Sequence, residues 1–176
     1  MALVIRELQQ DDSCNALSLG DPAYLPLKNF LRNEAKKLHL ENLAKTFVLV
    51  EEDEAKVRGY ITTVCSHVSV EQFSADDGPL VDGFRYKDYP AIKLARLAVD
   101  KSLRGAGAGS QLVDLAIGLI LEHVMPNIGC RFLIVDAKAS SVDFYVKKGF
   151  TRIGEIEDGD QEQTAMFIDL HRLPKA

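Results

Sequence analysis

The chain has 176 residues, 47% hydrophobic and 27% charged, which is ordinary for a globular protein and too apolar for a disordered one. Its formal net charge of -5 gives no global attraction to nucleic acid or an anionic membrane, although a local basic patch stays compatible with that balance. The length suits a single domain over residues 1–176.

The 3 cysteines, Cys14, Cys65 and Cys130, are odd in number and form no C-x-x-C pair, so neither a disulfide framework nor a zinc signature is present. Buried structural thiols are the default for such residues. His39, His67, His123 and His171 are scattered without metal-ligand spacing, so no metal is expected. The chain opens without a targeting pattern and has no uninterrupted apolar run approaching about 18 residues. A cytoplasmic protein without a membrane partner is the expectation.

Taken in chain order, Leu3 to Glu7 alternates like a first strand. A helix is predicted to begin near Pro26, carrying Leu27, Leu31 and Leu38 toward a core. Thr46 to Glu51 and Val57 to Val70 read as strands of a hairpin, joined by a polar turn over Asp53 to Lys56. Glu71 to Asp88 reads as a long loop with turn signals at Asp76-Asp77-Gly78-Pro79 and Asp82-Gly83, of a length that suggests a functional or flexible role. Ala91 to Val99 returns to strand. From about Gly107 to Val124 the residues Leu112, Leu115, Ala116, Leu119 and Ile120 keep helical spacing, and Pro126 and Gly129 end the helix. Phe132 to Ala137 is a nearly all-apolar run, as in a central strand buried on both faces. Ser140 to Lys148 predicts a short helix with a serine cap, closed by Gly149. Thr151 to Ile156 and Met166 to Leu170 supply two last strands. The pattern is mixed α/β.

Chemistry concentrates at Arg104-Gly105-Ala106-Gly107-Ala108-Gly109, between a strand and a long helix. This order sets backbone N–H groups at the positive end of a helix, which binds phosphate or pyrophosphate without a lysine. Glycine serves where a Cβ would block close approach or where φ must be positive. Arg104 adds a permanent charge with forked donors, and Ser110 continues the segment. A bare strand-to-helix turn is the plain alternative. A P-loop would need Gly-Lys-Ser/Thr where Gly109-Ser110-Gln111 stands, and a dinucleotide fold needs G-x-G-x-x-G and a later acidic residue; both patterns are missing.

The segment Arg104-x-x-Gly107-x-Gly109 resembles the Q/R-x-x-G-x-G/A signature of the GNAT N-acetyltransferases. Leu94 to Asp100 looks like that family's fourth strand, and Phe144-Tyr145-Val146-Lys147-Lys148-Gly149-Phe150 looks like its F/L-Y-x-K-x-G-F segment. The resemblance runs from Leu3 to Leu170. It implies a strongly twisted mixed sheet flanked by helices and splayed between its fourth and fifth strands, with acetyl-CoA as the acyl donor. By position, backbone groups of Leu97, Ala98 and Val99 would meet the pantetheine, and Arg104, Gly105, Ala106, Gly107, Ala108, Gly109 and Ser110 would hold the pyrophosphate. Lys138 stands where many members carry a pantetheine-contacting asparagine, seven residues before Tyr145.

Tyr145 is the candidate acid; a core tyrosine beside Phe144 is its plain alternative. Direct attack of an amine on the thioester expels a thiolate of pKa ~8.5, and a tyrosine near ~10 is protonated and able to donate. An α-amine of pKa ~7.7–8.0 is neutral in about a tenth of molecules at neutral pH, a lysine at ~10.4 in far fewer. No residue declares itself a base, although His67, Glu71 and Asp82 lie in suitable places. A low-pKa primary amine is therefore the favoured acceptor.

Phe30-Leu31-Arg32, Ala44 to Val50, Gly59-Tyr60 and Tyr89 to Val99 resemble the acetyltransferase toxins of bacterial toxin–antitoxin pairs, which acetylate the α-amine of aminoacyl-tRNA. That resemblance implies tRNA and an antitoxin-type protein as partners, and a homodimer is a further expectation. Lys28, Arg32 and Lys36 recur every four residues, joined by Lys37, with Arg85 and Lys87 near the loop; they would form a phosphate-tracking stripe or an ordinary solvated face. A pI near 5.4 favours the solvated face. Competing readings are a non-catalytic acyl-CoA-binding or regulatory domain, an acetyltransferase for another small or protein amine, and an interaction protein whose basic helix docks an acidic partner.

Overall fold

The computed structural model describes residues 2–73, 81–154 and 163–174. Two compact units emerge, Met1–Val64 with Leu94–Ala116, and Cys65–Lys93 with Ile117–Ala176.

In the first unit, β1 (Leu3–Glu7) pairs antiparallel with β2 (Lys45–Glu51), which forms the expected hairpin with β3 (Lys56–Ser69). A register shift interrupts that hairpin between Leu49 and Val50. The predicted helix arrives as two, α1 (Leu25–Asn33) and α2 (Ala35–Leu40), because Glu34 leaves helical geometry at φ -124°. A 3-10 turn over Pro22–Tyr24, capped by Asp21, leads into α1 and was not foreseen. Leu31 is fully buried, and Leu27 and Leu38 pack against the same core of Leu17, Val48, Val50, Val57 and Tyr60. Alternation along β2 and the helical spacing of α1 thus converge on one apolar layer.

β4 (Asp88–Val99) starts three residues earlier than Ala91. The helix after it, α3 (Ala108–Leu119), continues as a π-helical turn over Ile120–Val124, where Met125 N–H reaches the Ile120 carbonyl.

In the second unit, β5 (Phe132–Lys138) pairs antiparallel with β7 (Gln163–Asp169), which pairs in turn with β6 (Thr151–Arg152). The strands follow the order β1-β2-β3-β4-β5-β7-β6 in a seven-stranded sheet. Phe73, Tyr89, Phe132 and Phe167 make an aromatic core with ring contacts of 5.0–5.8 Å, edge-on except for the tilted Phe73–Phe132 pair. Val70, Phe73, Val81 and Phe84 pack against that core, so both ends of the long loop are anchored. Gly83 turns the chain at φ +74°, whereas the signals at Asp76 to Pro79 lie outside the described residues.

Three expectations need correction. β5 is not buried on both faces throughout, because Asp136 is exposed and accepts from Lys93 Nζ at 2.6 Å; a carboxylate is too costly to bury unpaired. The last helix begins as a 3-10 turn over Ala139–Ser141, so α4 (Val142–Lys147) has Ser141 at its N-cap without a side-chain cap bond. β6 ends at Arg152 rather than Ile156, the last part of which lies outside the described residues.

His39 of α2 is buried, and its Nδ1 accepts the Thr46 N–H at 3.0 Å. Burial, assisted by Lys45, pushes its pKa below the ordinary histidine value. The unfolded chain therefore binds a proton at His39 more readily than the folded one. This stability is complete above the unfolded value near ~6.5 and is lost as pH falls toward the folded value. Thermal melts from about pH 7.5 to about 5.5 should show a falling Tm, and His39→Asn, which keeps an acceptor but cannot titrate, should flatten that slope.

Candidate active site

β4 is followed directly by Asp100, only 2% exposed. Its carboxylate accepts from Ser18 N–H at 2.8 Å, Ser102 N–H at 3.0 Å and the Ser102 hydroxyl at 2.7 Å, and pairs with Arg58 of β3 at 3.4 Å. Burial alone would raise this carboxyl, but the donors outweigh it and hold the pKa below the ordinary carboxylate range. Backbone bonds from Asp100 N–H to Arg58 O and from Lys101 N–H to Ser18 O complete the junction. The chain makes a 3-10 turn over Lys101–Leu103 and enters the glycine-rich segment from a fixed point. Asp100 was missed as a site residue; Asp-x-Ser directly after a strand is an Asx-turn signal that would have found it.

Gly105 and Gly107 sit at φ +79° and +83°. A Cβ at either would meet nothing within 4 Å, so conformation rather than packing demands glycine there. The two left-handed residues swing the backbone so that α3 begins at Ala108, with Gln111 N–H bonding to Gly107 O at 3.0 Å. A helix starting in this way presents its first-turn N–H groups outward, as an anion requires. Ala108 is buried; Gly109 and Ser110 are half-buried. Arg104 is exposed and already oriented: its guanidinium donates to Leu19 O at 2.5 Å and lies 5.2 Å from the Tyr24 ring centre. On β4, Ala98 is buried while Leu97 and Val99 are half-buried.

Tyr145 lies on α4 in the second unit and is 5% exposed. Gly149 takes φ +94°, and the Phe150 N–H bonds to Tyr145 O while the Gly149 N–H bonds to Val146 O, both at 3.0 Å. That pairing is a Schellman closure, which needs a left-handed residue and joins the flanking apolar side chains. Accordingly Phe150 stands edge-on to Tyr145 at 5.2 Å, and Phe144 does so at 5.1 Å. The Phe-Tyr-x-Lys-x-Gly-Phe pattern is thus a mount for one phenol. Burial raises the Tyr145 pKa well above the ordinary tyrosine value, so it holds its proton throughout the physiological range. Lys138 is the last residue of β5.

The candidate bases stay at the surface. His67 is exposed on β3, and Glu71 and Asp82 are exposed in turns. Two members of the basic stripe, Arg32 and Lys36, are committed to the fold. Arg32 Nε donates to Asn15 Oδ1 at 2.9 Å, and Lys36 Nζ donates to the carbonyls of Gln10 and Asp12, each at 2.7 Å. Lys36 and Arg32 therefore act as staples for the segment after β1. Among the described residues no cluster of His, Cys, Asp or Glu could hold a metal, and no helix is long and apolar enough to cross a membrane.

The family model of the acetyltransferase (GNAT) domain matches residues 25–162, which takes in the Asp100 junction, the glycine turn and the Tyr145 mount. The chain belongs to the GNAT acetyltransferase family. A tRNA-acetylating toxin of Mycobacterium tuberculosis is 30% identical over 132 residues, covering 75% of this chain and 74% of the relative. The structure of AtaT complexed with acetyl-methionyl-tRNAfMet superposes with TM-score 0.80 at 26% identity, covering 97% of this chain and 96% of that one. A crystal structure of AtaTR bound with AcCoA matches with TM-score 0.76 at 25% identity, over 96% and 94% of the two chains. The protein is an acetyl-CoA-dependent N-acetyltransferase of the toxin-like branch.

Gly107→Ala isolates the conformational demand of the turn. A left-handed alanine costs about 1–2 kcal/mol, enough to weaken acetyl-CoA binding by roughly tenfold if the turn holds the donor. Titration calorimetry should show that loss with an unchanged circular-dichroism spectrum; an unaltered affinity would remove the turn from the site.

Proposed function

We propose that this acetyltransferase modifies the α-amine of aminoacyl-tRNA. The segment Arg104 to Ser110 and the backbone of Leu97 to Val99 hold acetyl-CoA, and Tyr145 serves as the acid. The observation that carries this reading is the 30% identity with a tRNA-acetylating toxin over three quarters of both chains. The acceptor's chemistry agrees with it. An α-amine is neutral often enough at physiological pH to attack without a dedicated base, and the three candidate bases are all surface groups. The amine nitrogen forms a bond to the thioester carbonyl carbon and the carbon–sulfur bond breaks. Tyr145 donates its proton to the departing sulfur, and the nitrogen's surplus proton passes to water.

Burial bears on the acid's role. An ordinary tyrosine lies about 1.5 units above a thiol, a mismatch of roughly 2 kcal/mol, and the raised pKa of Tyr145 widens it. Tyr145 therefore acts by donating a hydrogen bond to charge as it develops on sulfur, not by early protonation. An antitoxin-type protein partner and a cytoplasmic setting belong to the same proposal, since charged tRNA and acetyl-CoA meet there.

Tyr145→Phe separates an enzyme from a non-catalytic acyl-CoA-binding domain. Acetyl-CoA affinity should persist while kcat falls about 100-fold or more, as loss of a general acid predicts. A variant as active as the parent would reassign Tyr145 to the core. The acceptor is tested by incubating the enzyme with acetyl-CoA and charged tRNA, then hydrolysing the ester and weighing the released amino acids. N-acetylated amino acids are expected; unmodified α-amines alongside acetylation of a small amine would overturn the tRNA substrate.

A further inference from the structure

The aromatic mount at Phe84, Tyr86 and Tyr89 serves neither the donor turn nor the proposed acid. Among the described residues Tyr86 is the most exposed of the large apolar side chains, at 73%. Its ring is nevertheless not loose. It stands edge-on to Phe84 at 5.6 Å, and Phe84 stacks on the buried Tyr89 at 4.6 Å and 22°. Tyr89 in turn packs edge-on against Phe132 of β5 at 5.2 Å. The backbone is pinned on either side: Lys87 O accepts the Val70 N–H at 2.8 Å, and Phe84 N–H reaches Val81 O at 3.4 Å across the Gly83 turn. An exposed phenol on so rigid a base has a solvent-facing π surface whose ordering cost is already met by folding.

The geometry points to Tyr86 as a stacking platform for an unpaired nucleobase, with exposed Arg85 and Lys87 beside it to meet the adjoining phosphates. This surface rests on the tRNA proposal, since a charged tRNA ends in single-stranded nucleotides. Chemistry favours a nucleotide over a peptide. A flat exposed ring whose chain neighbours on both sides are exposed cations fits a base with its phosphates. Asp82 and Asp88 lie exposed in the same stretch and offset Arg85 and Lys87, leaving no net local charge. Stacking rather than bulk electrostatics must therefore supply the affinity, which also reconciles nucleic-acid binding with a chain of net charge -5.

The experiment uses the full chain, charged tRNA, and a single-stranded oligonucleotide with the tRNA's terminal sequence and 2-aminopurine in place of its last adenine. Stacking on Tyr86 should quench the 2-aminopurine fluorescence. Tyr86→Ala should abolish that quench and raise KM for charged tRNA about tenfold, with kcat and acetyl-CoA affinity unchanged, while Tyr86→Phe should behave as the parent. If Tyr86→Ala leaves the quench and KM as they are, the platform is overturned. The same holds if it weakens only the binding of an antitoxin-type peptide. A parent enzyme that transfers nothing to charged tRNA, yet quenches the oligonucleotide through Tyr86, would sink the tRNA substrate and keep the platform. Loss of both would end both.

Discussion

The buried Asp100 carboxylate is the constraint from which the glycine-rich turn is built. Four donors converge on it, from Ser18, Ser102 and Arg58, and each comes from a different stretch of the first unit or from the turn itself. Desolvating a carboxylate is expensive, and only a full set of partners offsets the cost. The end of β4 is therefore held at one place. The left-handed residues Gly105 and Gly107 then convert that fixed point into the start of α3. Arg104 is fixed in turn by Leu19 O and the Tyr24 ring, so its charge is positioned without a ligand.

A second local device mounts the proposed acid. Gly149 permits a chain reversal that brings Phe150 back onto Tyr145, and the two phenylalanines keep the phenol buried. The same burial that raises the pKa of Tyr145 keeps it protonated, as the proposed role of acid requires. Both devices rely on glycines at positive φ, one at a helix start and one at a helix end.

Charge tells a different story from chemistry. Lys28, Arg32, Lys36 and Lys37 look from their spacing like a track for phosphates, yet Arg32 and Lys36 spend their donors on Asn15, Gln10 and Asp12. Under the tRNA proposal, contact area would come from elsewhere, and an aromatic ring on an ordered base is a salt-tolerant way to supply it.

The sequence alone determined the features whose cause is local. Alternation in Leu3 to Glu7 and Thr46 to Glu51, proline at the start of α1, the glycines before α3 and Gly149 after α4 all act within a few residues, so strand, helix and turn were legible. The order of the three site motifs along the chain was equally plain. The exposure of Asp136 opposite Lys93 and the staple role of Lys36 were not, because each depends on a partner many residues away. Only the tertiary structure decided that Asp100 gathers donors from positions 18 and 58, since no spacing rule links residues brought together by strand pairing. The glycine turn could be read from its neighbours in sequence; what holds it in place could be read only from its neighbours in space.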